Sequence, residues 1–403
     1  MMQEDYMPAT PVTTQLVVGL ARTLHESGAP SHRLEDTLEG VCGTLDIDVV
    51  IFSLPTALML QVDGQTHMIR VSPRESNLSR LVAVDALGAA LSRERLSVGE
   101  ALSRLKVLEE QKAGPYSATV MAIALAVSSG IAGLLFGGPP IEAFVAGTIG
   151  GMLSLLSGRM ARNPHHARIA HWVYGTLAAL LAGLAASIWA ISPERAALAA
   201  LIIFIPGLSL TTAIAELASG HLSAGSARFA GGAIVLLQLG LGCALGLSMA
   251  SAVLDPALGP VAAAPDWLRW PVVLTAGVSF AILFQARKAD LLWIVVAAVI
   301  AVQGTGLAVE LLGPRAGPGI GAFLVALFSN AQARIRDLPA SVTLVPGILL
   351  LVPGAIGFRS MQALTQAQTL LGLSSLVEML VIAAALVGGL LAANAVFSAR
   401  RPL

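Results

Sequence analysis

The sequence predicts a polytopic α-helical membrane protein, with about ten transmembrane helices arranged as two inverted five-helix repeats and a small cytosolic α+β domain at the N-terminus. Three observations predict it. The 403 residues are 56% apolar and only 12% charged, against about a quarter charged in an ordinary soluble domain. The charge is uneven: residues 1–112 read as a soluble domain, whereas 116–397 are apolar runs of ~17–24 residues, enough to span ~30 Å of hydrocarbon as helix. Finally, an offset of 147 residues lays one half of the apolar region over the other. The expected units are 1–112, the cytosolic α+β domain, then 113–253 and 254–403, one five-helix repeat each.

In the N-terminal unit, residues 14–27 fit a helix with Leu16, Leu20 and Leu24 on one stripe. Ser31 is placed to cap a second helix, in which Leu34, Leu38, Val41 and Leu45 share a face, and Gly28 separates the two. "DVVIFSL", "ALMLQVDG" and "QTHMIRV" read as three short strands, with Asp63-Gly64 as a hairpin turn. Two amphipathic helices follow, over 78–92 and 97–111, and the second aligns Val98, Leu102, Leu105 and Leu108. Gly114-Pro115 joins the domain to the first span. His25, His32 and Glu35 suggest a site, but charged and His residues around a helical hairpin more often form a solvated face.

The spans are expected at 116–137, 141–157, 169–191, 196–215, 227–250, 270–286, 289–306, 319–333, 341–358 and 375–397. With both termini inside, the inner loops carry Arg159, Arg162, Arg168, Arg228, Arg287, Lys288, Arg334, Arg336, Arg400 and Arg401. The outer loops carry only Arg195, Arg269, Arg315 and Arg359, alongside Glu142, Glu194, Asp255, Asp266 and Glu310, so the positive-inside rule supports this orientation. The opening MMQEDYMPATP has no charged n-region before an apolar h-region, so no signal peptide is expected.

The 147-residue offset carries Pro206-Gly207 onto Pro353-Gly354 and Gly130 onto Gly277, and each span of the first half onto or across its counterpart. Five helices per copy is an odd number, so the copies run in opposite directions. Inverted repeats with Pro/Gly-interrupted helices at matching positions point to a secondary transporter and to its site. Proline lacks an N–H and frees backbone carbonyls. In a membrane, such backbone is tolerated where it is buried in protein or lines a watery cavity. Pro346-Gly347 and Pro353-Gly354 lie almost two turns apart in one span, so both breaks are expected on one face, turned towards a cavity.

Other chemistries are poorly supported. Cys42 and Cys243 make neither a disulfide framework nor a metal spacing. No G-x-x-x-x-G-K-[ST] is present, and no nucleophile–base set is readable, so no cofactor, metal or enzymatic activity is expected. Net charge is zero, which suggests no nucleic-acid partner. The partners expected are a small-molecule substrate and membrane lipid, and self-association is compatible with the sequence.

"LARTLHESGAPSHRLEDTLEGV", with Ser27, Gly28 and Ala29, then "SLPTALMLQV", with Pro55 and Thr56, resembles the N-terminal half of the threonine/serine exporter family. "IPGLSLTTAIAELASGHLSAGSAR" is similar to the close of that half, at Pro206, Gly207, Glu216, Gly220, Gly225 and Arg228. "LLLVPGAIGFRSM" resembles the signature of the C-terminal half, at Pro353, Gly354, Gly357 and Arg359, so the likeness covers about 14–397. It departs at Pro30-Ser31-His32, where relatives more often carry acidic or aromatic residues. The resemblance implies a cytoplasmic (inner) membrane exporter of threonine and serine driven by the proton-motive force. Relatives with the halves on separate chains are linked to dicarboxylate export, which stays open as a substrate class. A channel, or a receptor with the soluble domain as output, is the alternative of another kind.

A zwitterionic substrate needs donors for its carboxylate and acceptors for its ammonium. The broken backbone at Pro206, Gly207, Pro346, Gly347, Pro353 and Gly354 can supply both, with Ser209, Thr211 and Thr212 for a substrate hydroxyl. Arg359 is a partner for a substrate carboxylate or for Glu378, or else a headgroup anchor. Glu216 is the proton-coupling candidate, because charge within a span is costly and usually functional. Asn330, Gln303, Gln238 and Asn394 either line the cavity or join helices, and Gly147, Gly150, Gly151, Gly242 and Gly246 permit close helix packing.

Overall fold

The computed structural model describes residues 11–71, 77–93, 95–110, 114–253 and 265–399. Arg400, Arg401 and Asp255 of the charge count lie outside the described residues. The N-terminal domain has the expected elements: α1 (Val12–Glu26), α2 (Ser31–Thr44), β1 (Val49–Leu54), β2 (Ala57–Val62), β3 (Gln65–Arg70), α3 (Leu78–Ser92) and α4 (Val98–Glu110). The strands form an antiparallel sheet in sequence order. Asp63 (φ 47°) and Gly64 (φ 78°) are both left-handed, as a two-residue hairpin turn requires. Leu16, Leu20, Leu24, Leu34, Leu38 and Leu105 are buried, because the helical stripes face one another over the sheet.

Ser31 is a correction. It is the first residue of α2 rather than its cap, and Pro30 precedes it without a capping side chain. Its backbone N–H is satisfied from elsewhere in the molecule.

The apolar region folds as α5 (Ala118–Leu135), α6 (Pro140–Met160), α7 (Pro164–Ala186), α8 (Pro193–Ala200), α9 (Gly207–Ala218) and α10 (Leu222–Ser251). It continues as α11 (Arg269–Leu283), α12 (Leu291–Leu312), α13 (Gly317–Arg336), α14 (Ser341–Leu349), α15 (Gly354–Thr365) and α16 (Thr369–Val396). Among the described residues, seven segments are long and apolar enough to cross a membrane, counting α14–α15 as one, and α9 and most of α11 are shorter apolar helices. The fourth expected span is split into α8 and α9, and the ninth into α14 and α15. The outer loop expected to begin at Arg359 is shorter, because α15 runs on to Thr365.

Helices in lipid gain little from apolar burial against each other, so small residues that let backbones approach dominate their contacts. Gly242 of α10 lies against the Trp172 carbonyl of α7, and Gly389 of α16 against the Gly319 carbonyl of α13. A Cβ on Gly225 would stand 2.8 Å from the Ala213 carbonyl, and one on Gly372 3.1 Å from that of Ser360. Both members of each contact are related by the same 147 residues.

Buried charge in this region is paired. Glu142, at the start of α6, is fully buried and accepts from Arg195 at the start of α8, with Arg195 Nη2 at 2.9 Å and the Ser192 N–H at 3.0 Å. Glu142 and Arg195 are therefore not free loop charges. Asp290, which precedes α12, is buried between Arg287 (2.7 Å) and Arg336 (2.8 Å), the last residue of α13. Pairing is what such groups require, since an uncompensated charge there costs several kcal/mol (roughly 3–5 on removal of one partner).

The N-terminal domain is seated on the membrane helices. Its core runs on into Ala281, Ala286 and Ile294. The α3 N-terminus donates to carbonyls at the end of α11, with Leu78 N–H to Phe284 O at 2.9 Å and Ser79 N–H to Gln285 O at 3.2 Å. Each set of orphan groups at one helix end satisfies the other.

Candidate functional site

The two broken segments cross. Pro206 (φ −78°, ψ 40°) and Pro353 (φ −80°, ψ 29°) are the residues before α9 and α15 and have nearly the same backbone conformation. A Cβ on Gly207 would come within 3.1 Å of Gly354 Cα, and one on Gly354 within 3.0 Å of Gly207 Cα. Only glycine at both positions permits this approach. Ser129 of α5 donates to the Ala200 carbonyl at 3.3 Å, one of the groups left open at the end of α8.

Pro346-Gly347 does not break its helix, which corrects the expectation of two breaks in that span. Pro346 lies inside α14. Gly347 packs α14 closely onto its neighbours, where a Cβ would meet Val325 at 2.8 Å and Ala297 at 3.2 Å. Neither residue lines either of the two cavities at the crossing.

Two cavities flank the crossing. One, of about 350 Å³, lies between the N-terminal domain and α9, α13, α14 and α16. Thr211, Thr212, Asn330, Ser341 and Asn394 supply its membrane-side polar wall, with Leu208, Leu344 and Ile348 between them. Its other wall is the α1–α2 turn and α2, including Ser27, His32, Arg33 and Asp36. The second cavity, of about 110 Å³, is lined by Gly207 and Gly354 themselves and by apolar side chains such as Phe136, Ile205, Phe280 and Leu350.

The expected site residues are therefore dispersed. Thr211 and Thr212 line the larger cavity, where Thr211 Oγ1 also donates to Gly207 O at 3.1 Å. Gly207 and Gly354 line the smaller one, and Pro206 and Pro353 set the breaks. Ser209 is exposed and lines neither. Arg359 is exposed on α15 with its guanidinium 5.4 Å from the centre of the Phe136 ring, a cation–π distance, and lines neither cavity. Asn330 and Asn394 line the larger cavity and bond each other (Nδ2 to Oδ1, 2.9 Å), whereas Gln238 and Gln303 line neither.

Glu216 lies at the junction with the N-terminal domain. It is fully buried and accepts Arg228 Nε at 2.9 Å, Arg228 Nη2 at 3.0 Å and the Ser31 N–H of α2 at 3.1 Å. Its carboxylate thus occupies the helix N-terminus that Ser31 was expected to cap, where negative charge is favoured. Glu35, one turn further along α2, accepts from the Ser53 N–H at 3.0 Å and lies 2.9 Å from His221 Nε2, between α9 and α10. His32 and Glu35 therefore face membrane helices rather than solvent. Burial lowers the His32 pKa to about 4, assisted by Arg33, His221 and Arg228 and opposed by Glu216. The pairing of α2 with α9 and α10 has no local sequence signal, since the partners are 185 and 186 residues apart.

Comparison with known proteins finds family models over most of the chain. A threonine/serine exporter family model matches residues 15–250, and a second, described as Threonine/Serine exporter, ThrE, matches 272–396. The threonine/serine exporter of Corynebacterium glutamicum is 24% identical over 333 residues, covering 79% of this chain and 67% of its own length. Pheromone-regulated membrane protein 10 of Eremothecium gossypii is 23% identical over 373 residues, covering 86% of this chain. The chain spans about half the length of that relative (48%). No solved structure matches the chain.

Proposed function

The chain belongs to the threonine/serine exporter family, and on that premise we propose that it exports threonine, serine or a related small amino acid across the cytoplasmic membrane by alternating access around the crossed helix breaks. The carrying observation is the Gly207–Gly354 contact, which stands between a cavity of about 350 Å³ and one of about 110 Å³. The larger is within the ~300–1,000 Å³ range of small-molecule sites, and its membrane wall offers hydroxyls and amides suited to a hydroxylated substrate. In this reading the N-terminal domain (1–112) and both termini are cytosolic, and the larger cavity faces the cytosol.

The two membrane units, 113–253 and 254–403, act as inverted five-helix repeats that rock against each other. The matching contacts that Gly242 makes with Trp172 and Gly389 with Gly319, and Gly225 with Ala213 and Gly372 with Ser360, support this, as does the shared backbone at Pro206 and Pro353. The proton-motive force drives export. Glu216, already paired with Arg228, takes part by holding the N-terminal domain rather than by facing the substrate.

The test is efflux of radiolabelled threonine from preloaded proteoliposomes, with and without an imposed proton gradient, against cold serine, alanine and succinate. Gradient-stimulated efflux inhibited by serine is expected. Movement of succinate but not threonine would replace the substrate with a dicarboxylate, and non-saturating flux indifferent to the gradient would replace the exporter with a channel.

A further inference from the structure

Every buried carboxylate noted above in the membrane helices is committed to an arginine: Glu142 to Arg195, Glu216 to Arg228, and Asp290 to Arg287 and Arg336. The charged residues lining the larger cavity are of another kind. Arg33 and Asp36 both come from α2, three residues apart and hence on one helix face. Among the described residues neither makes an ion pair. The membrane-side wall that they face offers neutral polar groups and apolar side chains. One of these, Ser341, is 8% exposed, and its Oγ has no partner among the described residues.

An amino acid entering such a cavity sheds water from two opposite charges, and each must be met by a countercharge or by several hydrogen bonds. The membrane wall supplies hydrogen bonds but no charge. The α2 wall supplies one cation and one anion. Moreover, α2 is fixed over the cavity at two points, one before Arg33 and one between Arg33 and Asp36, through Ser31 N–H to Glu216 and through Glu35 to His221.

We propose that the N-terminal domain forms half of the substrate site: Arg33 binds the carboxylate and Asp36 the ammonium of a hydroxylated amino acid, whose side-chain hydroxyl is received by Ser341. This rests on the exporter reading and extends it, making the domain a binding element rather than an anchor. The substrate then bridges α2 to α14 and adds to the contacts that already seat α2.

The test uses the full chain in proteoliposomes, with threonine as substrate and three competitors that each lack one group. Threoninamide lacks the carboxylate, 3-hydroxybutyrate the ammonium and 2-aminobutyrate the hydroxyl. Arg33→Gln is expected to raise the threonine KM by about tenfold with little change in maximal rate, and to erase the preference for threonine over threoninamide. Arg33→Lys, which keeps the charge, restores part of that preference. Asp36→Asn erases the preference over 3-hydroxybutyrate, and Ser341→Ala the preference over 2-aminobutyrate alone. A merely structural role would lower rates without changing one preference at a time. If the wild type transports threonine and Arg33→Gln and Asp36→Asn keep its KM and preferences, the composite site is wrong and the exporter reading stands. If the wild type carries no amino acid, both fail.

Discussion

Gly207 and Gly354, 147 positions apart in the chain, meet where the two broken helices cross, each leaving no room for a Cβ on the other. A methyl group on Gly354 would stand 2.9 Å from Ile205 Cγ2 and 3.0 Å from Gly207 Cα. Gly354→Ala therefore forces the crossing apart. We expect transport to fall at least tenfold and stability to fall by about 1–3 kcal/mol, the usual cost of overpacking, with membrane insertion normal. Efflux and thermal melts of the purified protein measure both, and wild-type flux in Gly354→Val would remove the crossing from the mechanism.

The two Pro-Gly pairs of the ninth span differ in structure and should differ on mutation. Pro346 lies within a continuous helix, whereas Pro353 precedes the restart at Gly354. Pro346→Ala restores one backbone donor and should leave flux within about twofold of wild type while raising the melting temperature. Pro353→Ala together with Gly354→Ala should abolish flux. Equal losses in the two variants would contradict the assignment of the break to Pro353 alone.

Glu216 joins Arg228 to the α2 N-terminus. Glu216→Ala leaves a half-buried guanidinium and the Ser31 N–H without their partner. The expected loss is on the order of 3–5 kcal/mol, read as a lower melting temperature and faster proteolysis between the N-terminal domain and α5. Glu216→Gln keeps an acceptor for Ser31 and should recover part of it. Should Glu216→Gln melt like the wild type yet transport without dependence on the proton gradient, Glu216 is a proton carrier after all.

The buried His32 gives the seating of α2 a pH dependence of defined sign. Burial lowers its pKa to about 4 from the ordinary histidine value of about 6.5. Above pH 6.5 the ring is neutral whether or not α2 is seated, and no penalty arises. As pH falls from 6.5 to 4 the released form takes up a proton and the seated form does not, so seating weakens, by at most about 3 kcal/mol at the low end. Thermal melts across pH 4–8 should show this slope in the wild type and a shallower one in His32→Asn. Identical slopes would locate the dependence elsewhere.

Much of this molecule was legible in its sequence, for reasons that differ by element. The N-terminal helices appear where Leu16, Leu20 and Leu24 and then Leu34 and Leu38 recur at helical spacing, and the hairpin turns where Asp63-Gly64 accepts positive φ. The restart positions at Gly207 and Gly354 follow from proline chemistry, which is local. Pro346 shows the limit of that logic. The same dipeptide sits in an unbroken helix, with Gly347 pressed against Ala297 and Val325, and nothing within α14 itself announces those neighbours.

The sequence by itself determined the membrane class, the order of the helices and the places where two of them break, because apolarity, period and the missing proline N–H are properties of short stretches of chain. Only the tertiary structure decided that Gly207 meets Gly354, that Glu216 meets Ser31, and that Arg33 and Asp36 stand over a cavity walled by Thr211, Asn330 and Ser341. Those relationships join residues more than a hundred positions apart. They depend on how closely small residues let helices approach and on which buried charges find partners, and a local pattern carries neither.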